Sequence, residues 1–232
     1  MQAHLFSLPD PVSIPVVGEN APYPIGRIFC VGRNYAAHAA EMGHEVDREA
    51  PFYFTKSAAN AILTGATVPY PPGTDNYHHE MELAVAIGKP VFQATSAQAW
   101  ESVYAYGCAL DMTRRDLQIR ERNKQRPWDL GKDLECGSVF APLTRATEWS
   151  PEDKKRICLS VNSEMRQDAT LQELIWKIDE VICHLSGYYH LRPGDLILTG
   201  TPAGVGPVVA GDKIEGTIDG LEPIQLTLSA TK

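Results

Sequence analysis

Apolar positions along the chain fall into short runs and one long stripe. Ile28–Val31 is a compact apolar run ended by Gly32, which predicts a strand. Tyr35–Met42 has the spacing of a short helix closed by Gly43. Phe52–Thr55 predicts a second strand, and Glu80–Ile87 a third that stops at Gly88-Lys89-Pro90. Ser96 is placed to cap a helix running through Tyr106, followed by a strand over Cys108–Met112 and a polar helix over residues 113–126. The clearest helical signal starts at Thr170. Thr170-x-x-Glu173 fits a capping box, and Leu171, Leu174, Ile175, Ile178, Val181, Ile182 and Leu185 form one apolar stripe that reads as core. Asp195–Leu198, Lys213–Ile218 and Ile224–Leu228 complete the strands, the last two near the turn signal Asp219-Gly220. Strands outnumber helices and do not alternate with them as a doubly wound sheet requires. The pattern predicts a mixed α+β fold, mainly β, with a few covering helices. The proline-rich residues 1–27 read as an N-terminal extension, and residues 28–232 as a single domain.

Composition narrows the function classes. The 232 residues suffice for one sizeable core, and 44% apolar with 22% charged residues is ordinary for a globular protein. A net charge of -8 argues against a general nucleic-acid binder and against attachment to anionic membranes. No apolar run approaches the roughly 18 residues that span a bilayer, and the first residues lack the basic-then-apolar pattern of a secretory signal. Cys30, Cys108, Cys136, Cys158 and Cys183 form no C-x-x-C pair, so they read as reduced thiols in the cytoplasm.

Candidate chemistry begins with the carboxylates. Glu80 and Glu82 sit two apart in a predicted strand, so period two puts both on one face, while Leu83, Val85 and Ile87 mark that strand as at least half buried. Neighbouring buried carboxylates repel each other and lose solvation. A bound cation relieves both costs, and an all-oxygen site favours Mg²⁺, Mn²⁺ or Ca²⁺ over Zn²⁺. Asp111, at the end of an apolar strand, is a third candidate ligand. The alternative is that Glu80 and Glu82 decorate a solvent face while Asp111 caps the next helix; spacing alone leaves both open.

Five segments then resemble the fumarylacetoacetate hydrolase family, in the family's order. Gly32-Arg-Asn-Tyr-Ala-Ala-His38-Ala-Ala-Glu41 is similar to its G-R-N-Y-x-x-H-x-x-E segment, and His78-His-Glu80-Met-Glu82-Leu to its H-x-E-x-E-L metal strand. Asp111-Met-Thr-Arg-Arg-Asp116-Leu-Gln118 resembles its third ligand segment. Arg126-Pro-Trp-Asp-Leu-Gly-Lys132 resembles the segment with an active-site lysine, and Gly200-Thr201-Pro-Ala-Gly-Val-Gly206 its G-T-P-x-G-V-G loop. Two positions depart from the common pattern: Ser57 follows Lys56 where proline is expected, and Gly131 precedes Lys132 where alanine is usual.

The resemblance implies a β-roll core with short covering helices, a catalytic domain over 28–232, and a homodimer. It implies one Mg²⁺ or Mn²⁺ held by Glu80, Glu82 and Asp111, with His38 and Glu41 as the general base for water. Lys132 and Gln118 would stabilise the oxyanion, and Arg33, Tyr35, Lys56, Arg115, Gly200 and Thr201 would bind substrate. Read from spacing alone, His38 and Glu41 share a helix face as i, i+3. His78 and His79 read as structural, since imidazoles would alter a hard oxygen site. The implied activity is hydrolysis of a carbon–carbon bond in an acylpyruvate, with fumarylpyruvate as the expected 2-oxo acid substrate. Its distal carboxylate would be met by Arg33, Arg115 or a basic side chain of 114–126. The alternatives are an oxaloacetate decarboxylase or 2-oxo acid tautomerase, and a non-catalytic 2-oxo acid binder. The polar segment Gly43–Ala50 lacks a continuous apolar face, which predicts that residues 34–50 form a lid.

Overall fold

A computed structural model describes residues 5–6, 10–43, 48–152 and 154–230; residues 44–47 of the expected lid lie outside the described residues. The fold is mixed α+β and dominated by strands. The largest sheet is eight-stranded. It runs Phe52–Lys56, Arg27–Gly32, Asp195–Leu198, Met81–Ile87, Val103–Asp111, Ser138–Phe140 and Ala61–Leu63, with Thr144–Arg145 also paired to Val103–Asp111. A five-stranded sheet orders Glu164–Thr170, Arg156–Val161, Lys213–Ile218, Ile224–Ser229 and Ala66–Pro69. A small sheet joins Thr113–Arg114, Tyr77–His79 and Gly206–Val208. The helices are short, and no described helix is long and apolar enough to cross a membrane.

Met81–Ile87 is buried on both faces, and its two faces differ in size. Met81, Leu83, Val85 and Ile87 pack with Tyr106, Cys108 and Leu110 into the large core shared with the five-stranded sheet. Ala84 and Ala86, with Ala105 and Ala109 of the neighbouring strand, face the other way. Period two puts Glu82 and Asp111 on this small-residue face. The alanines leave room for the N-terminal segment, in which Ser13–Ile14 pairs with Tyr23–Pro24. Ile14, Val16, Tyr23 and Ile25 pack against them.

Three predicted elements are corrected. The helix expected from Ser96 through Tyr106 ends at Ser102, and its cap is Thr95, which forms a capping box with Gln98. The aromatic and β-branched residues from Val103 onward pair as a strand instead. The long helix from Thr170 is also broken. Its capping box forms but opens only the 3₁₀ turn Leu171–Glu173, and helix resumes at Ile178–Ser186. Between them, Asn34 claims the backbone: its main-chain oxygen accepts from the Ile175 N–H at 2.8 Å and its Oδ1 from the Trp176 N–H at 2.7 Å. All seven stripe residues are buried, so the periodicity marks the core correctly while the helix is interrupted. Finally, the strand expected over Glu80–Ile87 starts at Met81. Glu80 lies at the break between Tyr77–His79 and Met81–Ile87, where the chain passes from the small sheet to the large one.

Candidate active site

Glu80, Glu82 and Asp111 converge: each offers a carboxylate oxygen, all within 4.8 Å of one another, and all three residues are buried. Their surroundings are unequal. Glu80 accepts from Lys132 Nζ at 2.7 Å and from the Arg115 guanidinium. Burial opposes its charge, yet Lys132 and Arg115 hold its carboxyl below the usual range. Asp111 accepts from Lys132 Nζ and from Lys56 Nζ, each at 2.7 Å. Glu82 is paired with no cation among the described residues; its carboxylate accepts the Gly200 N–H at 2.7 Å. Burial, with Asp111 and Glu80 adding to it, pushes the Glu82 carboxyl well above the carboxylate range. Three buried, converging oxygen donors, one of them short of positive charge, fit a hard divalent cation.

The short helix Ala36–Glu41 brings His38 to the same cavity. His38 Nδ1 lies 3.1 Å from Glu41 Oε2. With Nδ1–H given to the carboxylate, Nε2 is the basic nitrogen. Glu41 in turn accepts the Gly204 N–H at 3.1 Å. Gly204 has φ +93°, and a Cβ there would lie 1.9 Å from the Arg166 carbonyl oxygen, so this turn requires glycine. The Gly200 N–H, expected at the substrate, thus holds Glu82, and the Gly204 N–H holds Glu41.

The cavity encloses about 490 Å³ of empty space, part of it open to solvent. Of the other residues expected at the site, Arg33, Arg115, Gln118, Lys132 and Thr201 line it. Lys132 Nζ donates to Glu80, Asp111 and Thr113 Oγ1, which accounts for all three of its protons. Arg115 donates to Gln118 Oε1, fixing that amide so that its Nε2 remains the donor side. Gly131 allows this arrangement: a Cβ there would meet the Gln118 backbone nitrogen at 2.7 Å. Lys56 and Tyr35 do not line the cavity. The Lys56 ammonium is buried on Asp111 and the Met112 carbonyl, and the Tyr35 hydroxyl is buried without a partner among the described residues. Ser57 caps the 3₁₀ turn Ala58–Asn60 through Oγ, so its departure from proline leaves a formed turn. The His78 and His79 imidazoles are depressed to about 4, chiefly by burial, which keeps them neutral.

The sequence assigns no role to two residues near the site, although Asn34 lies within the matched G-R-N-Y segment. Gln167, fully buried, accepts the Met81 N–H at 3.0 Å and donates to Thr201 Oγ1 and the Pro202 carbonyl, each at 2.8 Å. It ties the strand beginning beside Glu80 to the Thr201 loop. Asn34 donates to the Thr199 carbonyl at 2.8 Å and the Trp176 carbonyl at 3.0 Å. A lone polar residue on the core side of an otherwise exposed strand is the one mark that distinguishes Gln167.

Residues 27–229 match the family described as fumarylacetoacetate (FAA) hydrolase, C-terminal, and the chain belongs to that family. Among its relatives, a fumarylpyruvate hydrolase from a Ralstonia species is 52% identical over 189 residues, covering 81% of this chain and 98% of the relative. The structure of fumarylpyruvate hydrolase from Pseudomonas aeruginosa in complex with Mn²⁺ and pyruvate superposes with a TM-score of 0.94 at 43% identity, covering 98% of this chain and all of that one. An oxaloacetate tautomerase of Escherichia coli is 37% identical over 199 residues, covering 85% of this chain and 90% of the relative.

Proposed function

We propose that this protein is a divalent-metal-dependent hydrolase that converts fumarylpyruvate and water to fumarate and pyruvate. The observation that carries the reading is the placement of His38, backed by Glu41, in one cavity with Glu80 and Glu82, whose carboxylates converge with that of Asp111. The likeness to the Ralstonia and Pseudomonas enzymes supports the substrate. Glu80, Glu82 and Asp111 would hold Mg²⁺ or Mn²⁺, with Ca²⁺ also compatible with oxygen donors. When bound, the cation supplies Lewis acidity toward the oxygens of a 2-oxo acid.

The chain's own groups divide the remaining work. His38 Nε2 takes a proton from water, and Glu41 stabilises the imidazolium that forms. Hydroxide adds to the acyl carbonyl, and charge develops on its oxygen. Gln118 Nε2 and Lys132 Nζ face that oxygen; for Lys132, the oxyanion takes the place of one of its three present acceptors. The bond between the acyl carbon and the pyruvate methylene then breaks, and the methylene carbon takes up the proton that His38 received from water, which restores the neutral imidazole. Thr201 Oγ1 accepts from Gln167 and keeps its own hydrogen to donate to substrate. Lys56 acts on the site through Asp111, and Tyr35 through packing. A homodimer in the cytoplasm belongs to the same proposal; the exposed Tyr188, Tyr189 and Phe92 are suited to an interface. A monomer in sedimentation at micromolar concentration would count against the dimer.

The functional test is turnover of fumarylpyruvate, acetylpyruvate and oxaloacetate with Mg²⁺ or Mn²⁺. The expected order places fumarylpyruvate first, ahead of acetylpyruvate by about tenfold to a hundredfold in kcat/KM, the worth of one charged contact of about 1.5–3 kcal/mol. Faster conversion of oxaloacetate than of either acylpyruvate transfers the assignment to the tautomerase or decarboxylase reading.

A further inference from the structure

Three arginines line the cavity, and the helix Arg115–Asn123 carries two of them. Residues 115, 118, 119 and 122 are spaced i, i+3, i+4 and i+7, and all four line the cavity. Arg115, nearest the carboxylates, is engaged by Glu80 and Gln118. Arg122 lies about 10 Å further along the helix axis at the α-helical rise. From the carboxylate cluster outward, this wall therefore presents a guanidinium bound to Glu80, an amide, an isoleucine and a second guanidinium.

Arg33 reaches the same cavity from the end of the strand Arg27–Gly32. Its backbone is left-handed, with φ 54°, a conformation that costs energy for any residue with a Cβ and that clusters at functional sites. Its guanidinium lies 5.3 Å from the Phe52 ring centroid and 6.0 Å from that of Trp128. Phe52 sits against Gly32 so closely that a Cβ there would fall 2.0 Å from its ring. Stacking engages the faces of a guanidinium, whereas carboxylates bind along its edge.

We propose that Arg122, assisted by Arg33, binds the distal carboxylate of the acylpyruvate and sets the preference for dicarboxylic over monocarboxylic substrates. This rests on the acylpyruvate reading above and adds the residue that reads the acyl end. A substrate laid along the helix with its pyruvate end at Glu80, Glu82 and Asp111 has its reacting carbonyl beside Gln118 and its far carboxylate at Arg122. Ile119 and Trp128, also on the wall, border the carbons between.

The test compares wild type with Arg122→Gln and Arg122→Lys, each first checked for an unaltered melting transition, in the Mn²⁺-loaded enzyme. The readouts are the fumarylpyruvate-to-acetylpyruvate ratio of kcat/KM and the inhibition constants of fumarate and pyruvate. In Arg122→Gln the ratio is expected to fall at least tenfold. The fumarate constant should rise at least tenfold, while the pyruvate constant moves less than about twofold. Arg122→Lys keeps the charge without the fork and should fall between wild type and Arg122→Gln; it carries the test if the glutamine variant does not fold. An unchanged ratio and an unchanged fumarate constant in the folded variant overturn the assignment while leaving the hydrolase reading intact. A wild type that hydrolyses neither acylpyruvate overturns both.

Discussion

Replacing Gln167 with leucine tests whether the site is held by the hydrogen bonds described above or merely by its surrounding core. The side chain is fully buried, and leucine matches it closely in volume, so packing is nearly conserved. The variant loses one bond accepted from Met81 N–H and two donated to Thr201 Oγ1 and Pro202 O, and with them a longer contact of 3.4 Å to His79 Nδ1. Three neutral bonds contribute about 1.5–4.5 kcal/mol together, at about 0.5–1.5 each. The Met81 N–H is also left buried without a partner, and the added apolar surface of leucine offsets part of the total by about 1 kcal/mol. The expected destabilisation is about 2–4 kcal/mol, a large share of the about 5–15 kcal/mol that holds a typical domain together. Urea denaturation of the metal-free protein reads it as a lower midpoint at constant slope. Because Thr201 loses the donor that orients it, kcat/KM should also fall, by about tenfold for each 1.4 kcal/mol of misplaced contact. Gln167→Glu separates the two effects: it keeps an acceptor for Met81 N–H but sets a carboxylate against the Pro202 carbonyl, so activity should suffer more than its acceptor bond. A leucine variant within about 1 kcal/mol of wild type and fully active would refute the reasoning.

Glu82→Gln should raise the melting temperature of the metal-free protein and abolish its rise on adding Mn²⁺. A carboxyl whose folded pKa is raised costs stability at every pH above its unfolded value of about 4.3, so an uncharged amide at neutral pH removes that cost. In wild type, Mn²⁺ at a hundred times its dissociation constant adds about 2.7 kcal/mol, or about 5–10 °C for a domain of this size; an equal Mn²⁺ shift in the variant would remove Glu82 from the ligand set. Glu41→Gln should lower kcat by about tenfold to a hundredfold and His38→Gln by about a hundredfold to ten-thousandfold, measured with fumarylpyruvate, while Mn²⁺ still shifts the melting temperature of both. Wild-type kcat in His38→Gln would move the general base elsewhere.

The motifs located the carboxylate cluster, the His38–Glu41 pair and the cavity lysine because each rests on residue types held at fixed short spacing. What escaped depends on contacts distant in sequence or on a weak local signal. Asn34 breaks the helix foreseen over 170–185 from more than a hundred positions away, and nothing in the apolar stripe registers that. The hairpin of Arg156–Val161 with Glu164–Thr170 turns at Asn162 and Ser163, both left-handed, and Asn-Ser is a weaker turn signal than Asn-Gly. The resemblance implies that Lys56 binds substrate, yet only the packed structure shows its ammonium on Asp111 instead of on the cavity wall. Period two placed Glu82 correctly, although Glu80 reaches the same point from a break in the strand.

The loop from Gly200 to Gly204 fixes Glu82 with its first amide and Glu41 with its last. Heritable change in this loop is therefore pleiotropic, since a residue that tilts the turn disturbs metal retention and proton abstraction together. The helix Arg115–Asn123 meets the carboxylates through its first turn, where Arg115 donates to Glu80 and to the Gln118 amide. Its outer turn is free to drift in sequence while the reaction persists. A scaffold so divided lends itself to acquiring new acyl partners by substitution at one end of one helix, and laboratory evolution toward them should accumulate its first changes there and leave the glycine loop untouched.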